Sequence, residues 1–221
     1  LILLTLCQGL FFTNNVTFIA INGLVGLSMA PLGWMATLPV MGYVVGGALS
    51  TGLVARSQAR WGRKTSFQLG LGVALLSALA CAAALHWHSF WLLVASTLVA
   101  GYYSANGQLY RFAAGELAAP AFREKAVSLV LAGGLIGAIA GPNLAQQTRD
   151  SLGTPFLAAY LALALVALLA MGVIALIRFP AQAPRAAGAS SGRPLGETMR
   201  QPVFIAAAAC SAPGHGRMNL P

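Results

Sequence analysis

The chain has 221 residues, of which 58% are hydrophobic and only 8% are charged, and its mean hydropathy is +0.77. Soluble globular domains carry about a quarter charged residues, so this composition excludes an ordinary soluble domain and predicts a membrane protein. The formal net charge of +9 does not indicate a nucleic-acid-binding protein, because the basic residues are confined to a few connections between apolar segments.

Six apolar segments are long enough to cross a lipid bilayer as helices. A spanning helix needs about 20 mostly apolar residues to cover a hydrocarbon core of roughly 30 Å. The sequence therefore predicts an all-α polytopic membrane protein, a six-helix bundle with a seventh helix starting at Pro202. The six predicted spans lie near residues 1–28, 32–54, 66–85, 89–112, 126–145 and 155–178.

The connection after the sixth segment differs in composition from the rest of the chain. Residues 180–201, PAQAPRAAGASSGRPLGETMRQ, are rich in Ala, Gly, Pro and Ser, which is typical of a flexible linker. We therefore expect a transmembrane bundle at 1–179, a linker at 180–201 and the truncated start of helix seven at 202–221. Because the first residue is Leu and the last segment is unfinished, we interpret the chain as a fragment.

Basic residues alternate between the connections. Eleven of the 13 Lys and Arg residues lie in or beside the connections after the second, fourth and sixth segments. Lys and Arg accumulate in cytoplasmic loops. The pattern therefore predicts a cytoplasmic amino terminus and a cytoplasmic linker after the sixth helix.

The sequence shows no constellation for catalysis or metal binding. Cys7, Cys81 and Cys210 stand alone in apolar segments and are interpreted as small hydrophobic residues. His86 and His88 share a short connection without a third ligand. The six segments contain no His, Asp or Glu, which also leaves them without an obvious proton carrier. We predict no enzyme activity, no cofactor and no metal ion.

A basic motif joins the second and third segments. Residues 55–64, ARSQARWGRK, resemble the pattern G-x-x-x-D-R-x-G-R-K that major facilitator superfamily transporters carry between helices two and three. The residues retained are Arg60, Gly62, Arg63 and Lys64. Ala55 and Ala59 replace the glycine and the aspartate of the pattern, and the loss of the acid weakens the charge network that latches the cytoplasmic side in this family.

Two further motifs follow in the order that this family shows. The loop before the fifth segment resembles E-x-x-x-P-x-x-R through Glu116, Pro120 and Arg123. The fifth segment resembles G-x-x-x-G-P through Gly137, Gly141 and Pro142. Together with Gly133, these glycines recur every fourth residue, so they form one small helix face that lets another helix approach closely, and packing is the default interpretation.

The resemblance covers essentially the whole chain. It implies the amino-terminal half of a twelve-helix major facilitator fold, with the carboxy-terminal half missing from this chain and a central cavity between the halves. The implied function is secondary transport of a small organic solute by alternating access, with a cytoplasmic gating motif formed by Arg60, Gly62, Arg63, Lys64, Glu116 and Arg123. The run from Tyr110 to Ala145 is similar to a bacterial branch that includes riboflavin-uptake transporters. The expected location is the bacterial inner membrane, and the expected cargo is a flavin or another flat heterocycle.

Two alternatives stay open at this stage. The first is a drug or metabolite efflux antiporter of the same superfamily, although Thr97 stands where many proton-coupled antiporters have an arginine. The second is a six-helix membrane scaffold or channel.

Two stripes of polar and aromatic residues are candidates for substrate contacts. Helical spacing places the members of each stripe on one face, and the resemblance puts helices one and four beside the cavity. Aromatic rings can stack on a flat heterocycle while amides bond its edge. The stripes are Gln8, Phe11, Asn15, Phe18 and Asn22 in helix one and Tyr102, Tyr103, Asn106 and Tyr110 in helix four. The alternative is that these residues pack helices together or form an interfacial aromatic belt.

Overall fold

The computed structural model describes residues 1–149 and 154–177, which lie in one compact unit. These residues form helices and no strand, which confirms the all-α prediction. Four helices are long and apolar enough to cross a membrane, namely α1, α2, α5 and α6. The helices are α1 (Ile2–Met29), α2 (Leu38–His86), α3 (Phe90–Gly107), α4 (Tyr110–Leu117), α5 (Arg123–Thr148) and α6 (Leu157–Leu176), with 3-10 turns at Gly33–Thr37 and Pro120–Phe122.

The 49-residue helix α2 contains two of the predicted spans. A straight helix of this length would reach roughly 70 Å, far more than a bilayer needs. Gly62 interrupts it with φ 79° and ψ 168°, a conformation that glycine adopts without a Cβ penalty. The Oγ atoms of Ser57 and Ser66 are 2.6 Å apart, whereas nine residues of straight helix would separate them by about 13 Å. The chain therefore turns back at Gly62, and the first arm of α2 (residues 38–61) lies beside the second arm (residues 63–86).

The fourth predicted span, 89–112, does not continue as one helix. Helix α3 ends at Gly107 and α4 begins at Tyr110. The ring of Phe11 packs so closely on Gly107 that a Cβ there would overlap it, so the close approach of α1 coincides with the end of α3. At 18 residues with a polar second half, α3 is not among the long apolar helices. Helix length and composition therefore do not confirm six spans. The linker at 180–201 and the start of helix seven at 202–221 lie outside the described residues.

The glycine face of α5 packs directly on α1. A Cβ at Gly137 would overlap the carbonyl oxygen of Gly9, and one at Gly133 would overlap Thr5. Two threonines of α1 donate side-chain hydrogen bonds to carbonyl oxygens of this face, Thr13 to Gly137 (3.2 Å) and Thr17 to Gly141 (2.8 Å). Helix α5 continues through Pro142. Close backbone contact and side-chain hydrogen bonds therefore join α1 to α5.

Candidate functional site

The two predicted stripes differ in exposure. Asn15 and Tyr102 are half-buried, and the other seven residues are at least 96% buried among the helices. The buried members are Gln8, Phe11, Phe18, Asn22, Tyr103, Asn106 and Tyr110. Substrate contact by all nine residues stays a prediction. The difference in burial favours treating the two half-buried residues separately from the seven buried ones.

The aromatic members of the stripes pack on one another. The ring centroid of Phe11 lies 5.3 Å from that of Tyr103 and 5.9 Å from that of Tyr110, both edge to face. Tyr110 also meets Phe67 of α2 at 4.7 Å, and Phe18 meets Tyr43 at 5.0 Å. Such pairs stabilise a helix bundle beyond their buried area. In this conformation these rings are therefore occupied by helix packing.

Asn106 belongs to a closed polar cluster beside the turn of α2. Its Nδ2 donates to the carbonyl oxygen of Ser66 (2.8 Å), and its Oδ1 lies 3.4 Å from the hydroxyl of Ser66 and 3.5 Å from Nε2 of Gln58. The Ser66 hydroxyl meets that of Ser57, which accepts a hydrogen bond from the Tyr102 hydroxyl at 3.0 Å. We call these five residues the Asn106 cluster. It joins α3 to both arms of α2 and uses both polar atoms of the Asn106 amide.

Both polar atoms of the Asn22 amide are bonded as well. Its Nδ2 donates to the carbonyl oxygen of Phe18 (2.8 Å), and its Oδ1 accepts from the hydroxyl of Tyr160 in α6 (2.9 Å). Asn14, which the sequence did not single out, donates to the carbonyl oxygen of Leu163 at 3.1 Å. These amides connect α1 to α6.

Asn15 is different because one of its polar atoms is open. The buried Tyr43 of α2 donates its hydroxyl hydrogen to Asn15 Oδ1 at 2.8 Å, and the side chain of Ser104 in α3 lies near that hydroxyl. Asn15 Nδ2 donates to no atom of residues 1–149 or 154–177, and it is not among their buried atoms without a partner. Tyr43 therefore fixes the orientation of an amide whose N–H donors reach the surface.

Asn15 and its partner Tyr43 have three neighbours along α1, α2 and α3, namely Phe12, Gly47 and Ser104. Phe12, half-buried, lies three residues before Asn15 on the same face of α1. Gly47 of α2 is a neighbour of Ser104, since a Cβ at Gly47 would be in van der Waals contact with the Gly101 carbonyl oxygen (3.6 Å) and the Ser104 Cβ (4.0 Å). We call Phe12, Asn15, Tyr43, Gly47 and Ser104 the Asn15 opening. Of these five residues the sequence pattern indicated only Asn15, and the lone tyrosine within the apolar run 38–54 was the one available signal for Tyr43.

The gating motifs meet partly at one end of the bundle. Arg63 forms an ion pair with Glu116 of α4, in which the Glu116 side chain is 57% exposed and that of Arg63 is 16% exposed. Lys64 donates to the carbonyl oxygen of Ala175 at the end of α6 (2.7 Å), where a cation also complements the helix dipole. Two Arg63 nitrogens, Nε and Nη1, are buried without a partner among the described residues.

Of the remaining members of the predicted gate, Arg60 and Arg123 are exposed, and Gly62 is half-buried at the turn of α2. Arg60 stacks over the ring of Trp61, with its guanidinium carbon 5.6 Å from the ring centroid, and Arg123 begins α5. Arg63, Lys64 and Glu116 thus connect the turn of α2 to helix α4 and to the end of α6. Their role as a gate stays a prediction.

Metal binding has no candidate in the part of the chain that the structure describes. No group of three or more His, Cys, Asp or Glu side chains in residues 1–149 and 154–177 could hold an ion.

Comparison with known proteins gives the family. The model of the Major Facilitator Superfamily matches residues 1–215. The chain therefore belongs to the Major Facilitator Superfamily, a family of membrane transporters. This confirms the family-level resemblance drawn from the sequence motifs.

Three related proteins align with most of the described family match. The chain is 36% identical over 217 residues to riboflavin transporter RfnT of Brucella anthropi, an alignment that covers 96% of this chain and 54% of that protein. It is 32% and 31% identical to YdeG and YddS of Bacillus subtilis, two uncharacterized MFS-type transporters, over 72% and 65% of this chain. The chain spans about half the length of RfnT and about a third of each of the other two.

Proposed function

We propose that the complete protein is a secondary transporter that moves a small flat heterocycle, riboflavin first among the candidates, across a bacterial inner membrane by alternating access. In this proposal the chain supplies the amino-terminal half, and a second half packs against it around a central cavity. Its six spans are α1, the two arms of α2, α3 with α4, α5 and α6. The similarity to RfnT supports the choice of riboflavin.

The Asn15 opening is the observation that carries this proposal. It offers three groups to a ligand: the Asn15 amide donor, whose orientation Tyr43 fixes, the Ser104 hydroxyl, and the half-buried ring of Phe12. A flat heterocycle with a carbonyl at its edge can accept a hydrogen bond from Asn15 Nδ2 while its face lies on the ring. Ligand sites commonly combine aromatic walls with a few oriented polar groups in this way.

The cytoplasmic orientation belongs to the same proposal. The basic connections that contain Arg63 and Lys64 lie on the cytoplasmic side, together with the amino terminus and the linker after α6. The Arg63 to Glu116 ion pair then stands at the cytoplasmic mouth of the half, where the exposed Glu116 carboxylate can part from Arg63 and return. Alternating access needs such contacts on the side that closes.

Uptake in a riboflavin auxotroph tests the proposal. The complete coding sequence should restore growth on low riboflavin and accumulate labelled riboflavin in cells. The Asn15→Ala variant should raise KM, because the cargo loses its oriented donor, whereas Asn143→Ala removes an exposed amide that bonds only within its own helix and should not. No uptake by the parent would reject riboflavin as cargo, and an unchanged KM in Asn15→Ala would reject the Asn15 opening as the site.

A further inference from the structure

Gln8 is a buried amide whose acceptor atom is unused. Its side chain is 2% exposed, and Oε1 has no hydrogen-bond partner among the described residues. Gln8 belongs to α1, and its side chain faces α5. A Cβ placed on Gly134 of α5 would come within 3.3 Å of Gln8 Cγ and within 3.0 Å of the Phe12 ring. Gly134 and Phe12 therefore enclose Gln8 on the side that faces α5.

The other buried amides of α1 show that this is an exception. Asn14 donates to Leu163, and Asn22 both donates to Phe18 and accepts from Tyr160. An unpaired buried acceptor destabilises the folded state, and leucine would fill a similar volume without that cost. Packing of α1 against α5 therefore gives no reason for glutamine at position 8.

Two aromatic side chains of α1 lie between Gln8 and Asn15, namely Phe11, which is buried against Tyr103 and Tyr110, and Phe12, which is half-buried. Phe12 follows Gln8 by four residues, so it lies directly above it on the same face of the helix, and its ring is half-buried. Asn15 follows Gln8 by seven residues, which places it about 10 Å further along nearly the same face. Rotation of Phe12 away from α5 would join Gln8 Oε1 and Asn15 Nδ2 in one continuous surface.

We propose that Gln8 is a specificity-determining residue of the cargo site, with Phe12 as its movable cover. When Phe12 turns aside, Oε1 accepts a hydrogen bond from an N–H or O–H group of the cargo, while Asn15 Nδ2 donates to an acceptor on the same molecule. This inference rests on the proposed transport function. It restricts the cargo to flat molecules that carry a donor and an acceptor at separate points of their edge.

Replacement of Gln8 by leucine separates binding from stability. In the full-length transporter, Gln8→Leu should raise the melting temperature in detergent, because the unpaired acceptor is gone, and should raise the KM for riboflavin about fivefold or more. The matched variant Asn14→Leu loses a satisfied hydrogen bond and should lower the melting temperature. An unchanged KM in Gln8→Leu would overturn the proposal, and a lowered melting temperature would show that another group already satisfies Oε1.

Cysteine labelling tests the cover even if riboflavin is not the cargo. With the native cysteines replaced by alanine, Gln8→Cys should react slowly with a water-soluble maleimide, and adding Phe12→Ala should accelerate the reaction at least severalfold. Adding Gly134→Ala instead should slow it, because the new Cβ presses on Phe12 and on the side chain at position 8. Equal labelling rates in all three proteins would overturn the role of Phe12, whereas failure of riboflavin uptake alone would reject only the proposed cargo.

Discussion

The Asn106 cluster and the Asn15 opening contain the same kinds of groups in different states. Each combines an asparagine, a tyrosine hydroxyl and a serine on neighbouring helices. In the cluster the Asn106 amide is saturated by α2, whereas in the opening the hydroxyl of Tyr43 occupies one side of the amide and leaves the other side free. Free hydrogen-bond capacity, rather than residue type, therefore separates amides that only pack helices from an amide that still has a donor to offer.

The largest expected effect is the loss of the Asn106 amide. Asn106→Ala removes the hydrogen bond to the carbonyl oxygen of Ser66. The Ser66 hydroxyl and the Gln58 amide also lose Asn106 Oδ1, the acceptor that they share. We expect a loss of about 2–3 kcal/mol in unfolding free energy, visible as a lower melting temperature in detergent. The protein that remains folded should keep the parental KM. A raised KM with an unchanged melting temperature would instead make Asn106 a cargo ligand.

A pair of glycines tests how tightly the Asn106 cluster is packed. A Cβ at Gly70 would lie 2.9 Å from Asn106 Nδ2, whereas one at Gly72 meets nothing within 4 Å. Gly70→Ala should therefore cost about 1–2 kcal/mol of stability by overpacking. Gly72→Ala should be neutral or slightly stabilising, because alanine favours helix more than glycine does. Equal melting temperatures for the two variants would contradict a closed cluster.

Removal of one hydroxyl should affect the two regions differently. Tyr43→Phe leaves Asn15 Oδ1 without its donor, so the amide can rotate and the KM for cargo should rise about threefold, with a stability loss near 1 kcal/mol. Tyr102→Phe removes a hydroxyl from the Asn106 cluster and should lower stability by a similar amount without changing KM. Uptake assays in vesicles combined with thermal melts measure both. The reverse pattern would exchange the roles of the two regions.

The smallest effect is expected from the ion pair beside the Asn106 cluster. Because the Glu116 side chain is 57% exposed, a double-mutant cycle with Arg63→Ala and Glu116→Ala should give a coupling of only about 0.5 kcal/mol. High salt should reduce it further. A coupling of several kcal/mol would mean that charges, rather than the buried hydrogen bonds of the cluster, hold this end together.

The sequence predicted a membrane protein because the whole chain is apolar in composition. It predicted the family because three motifs follow one another in the order that the family shows. It also indicated Gly62, whose positive φ requires glycine at the turn between the arms of α2. It could not divide the stripes, since helical spacing tells which side chains share a face and not which neighbour covers that face. Asn15 and Asn22 share such a face, yet Tyr160 closes one and Tyr43 leaves the other half open.

The end of α3 was missed for a related reason. The run from Phe90 to Phe112 is apolar enough to suggest one span, but the Phe11 ring occupies the space beside Gly107 where the helix ends. That contact joins residues nearly a hundred positions apart, and no local pattern in the sequence encodes it. The positions of the two stripes relative to a cavity remain predictions for the same reason.

Two serine positions distinguish the Asn15 opening from the Asn106 cluster most directly. Ser104 belongs to the Asn15 opening and is half-buried, whereas Ser66 belongs to the Asn106 cluster and is fully buried. In the full-length protein without native cysteines, Ser104→Cys should react with a water-soluble maleimide and riboflavin should slow the reaction, while Ser66→Cys should stay unreactive. Rapid labelling of Ser66→Cys that riboflavin blocks, with no labelling of Ser104→Cys, would contradict the assignment of the cargo site.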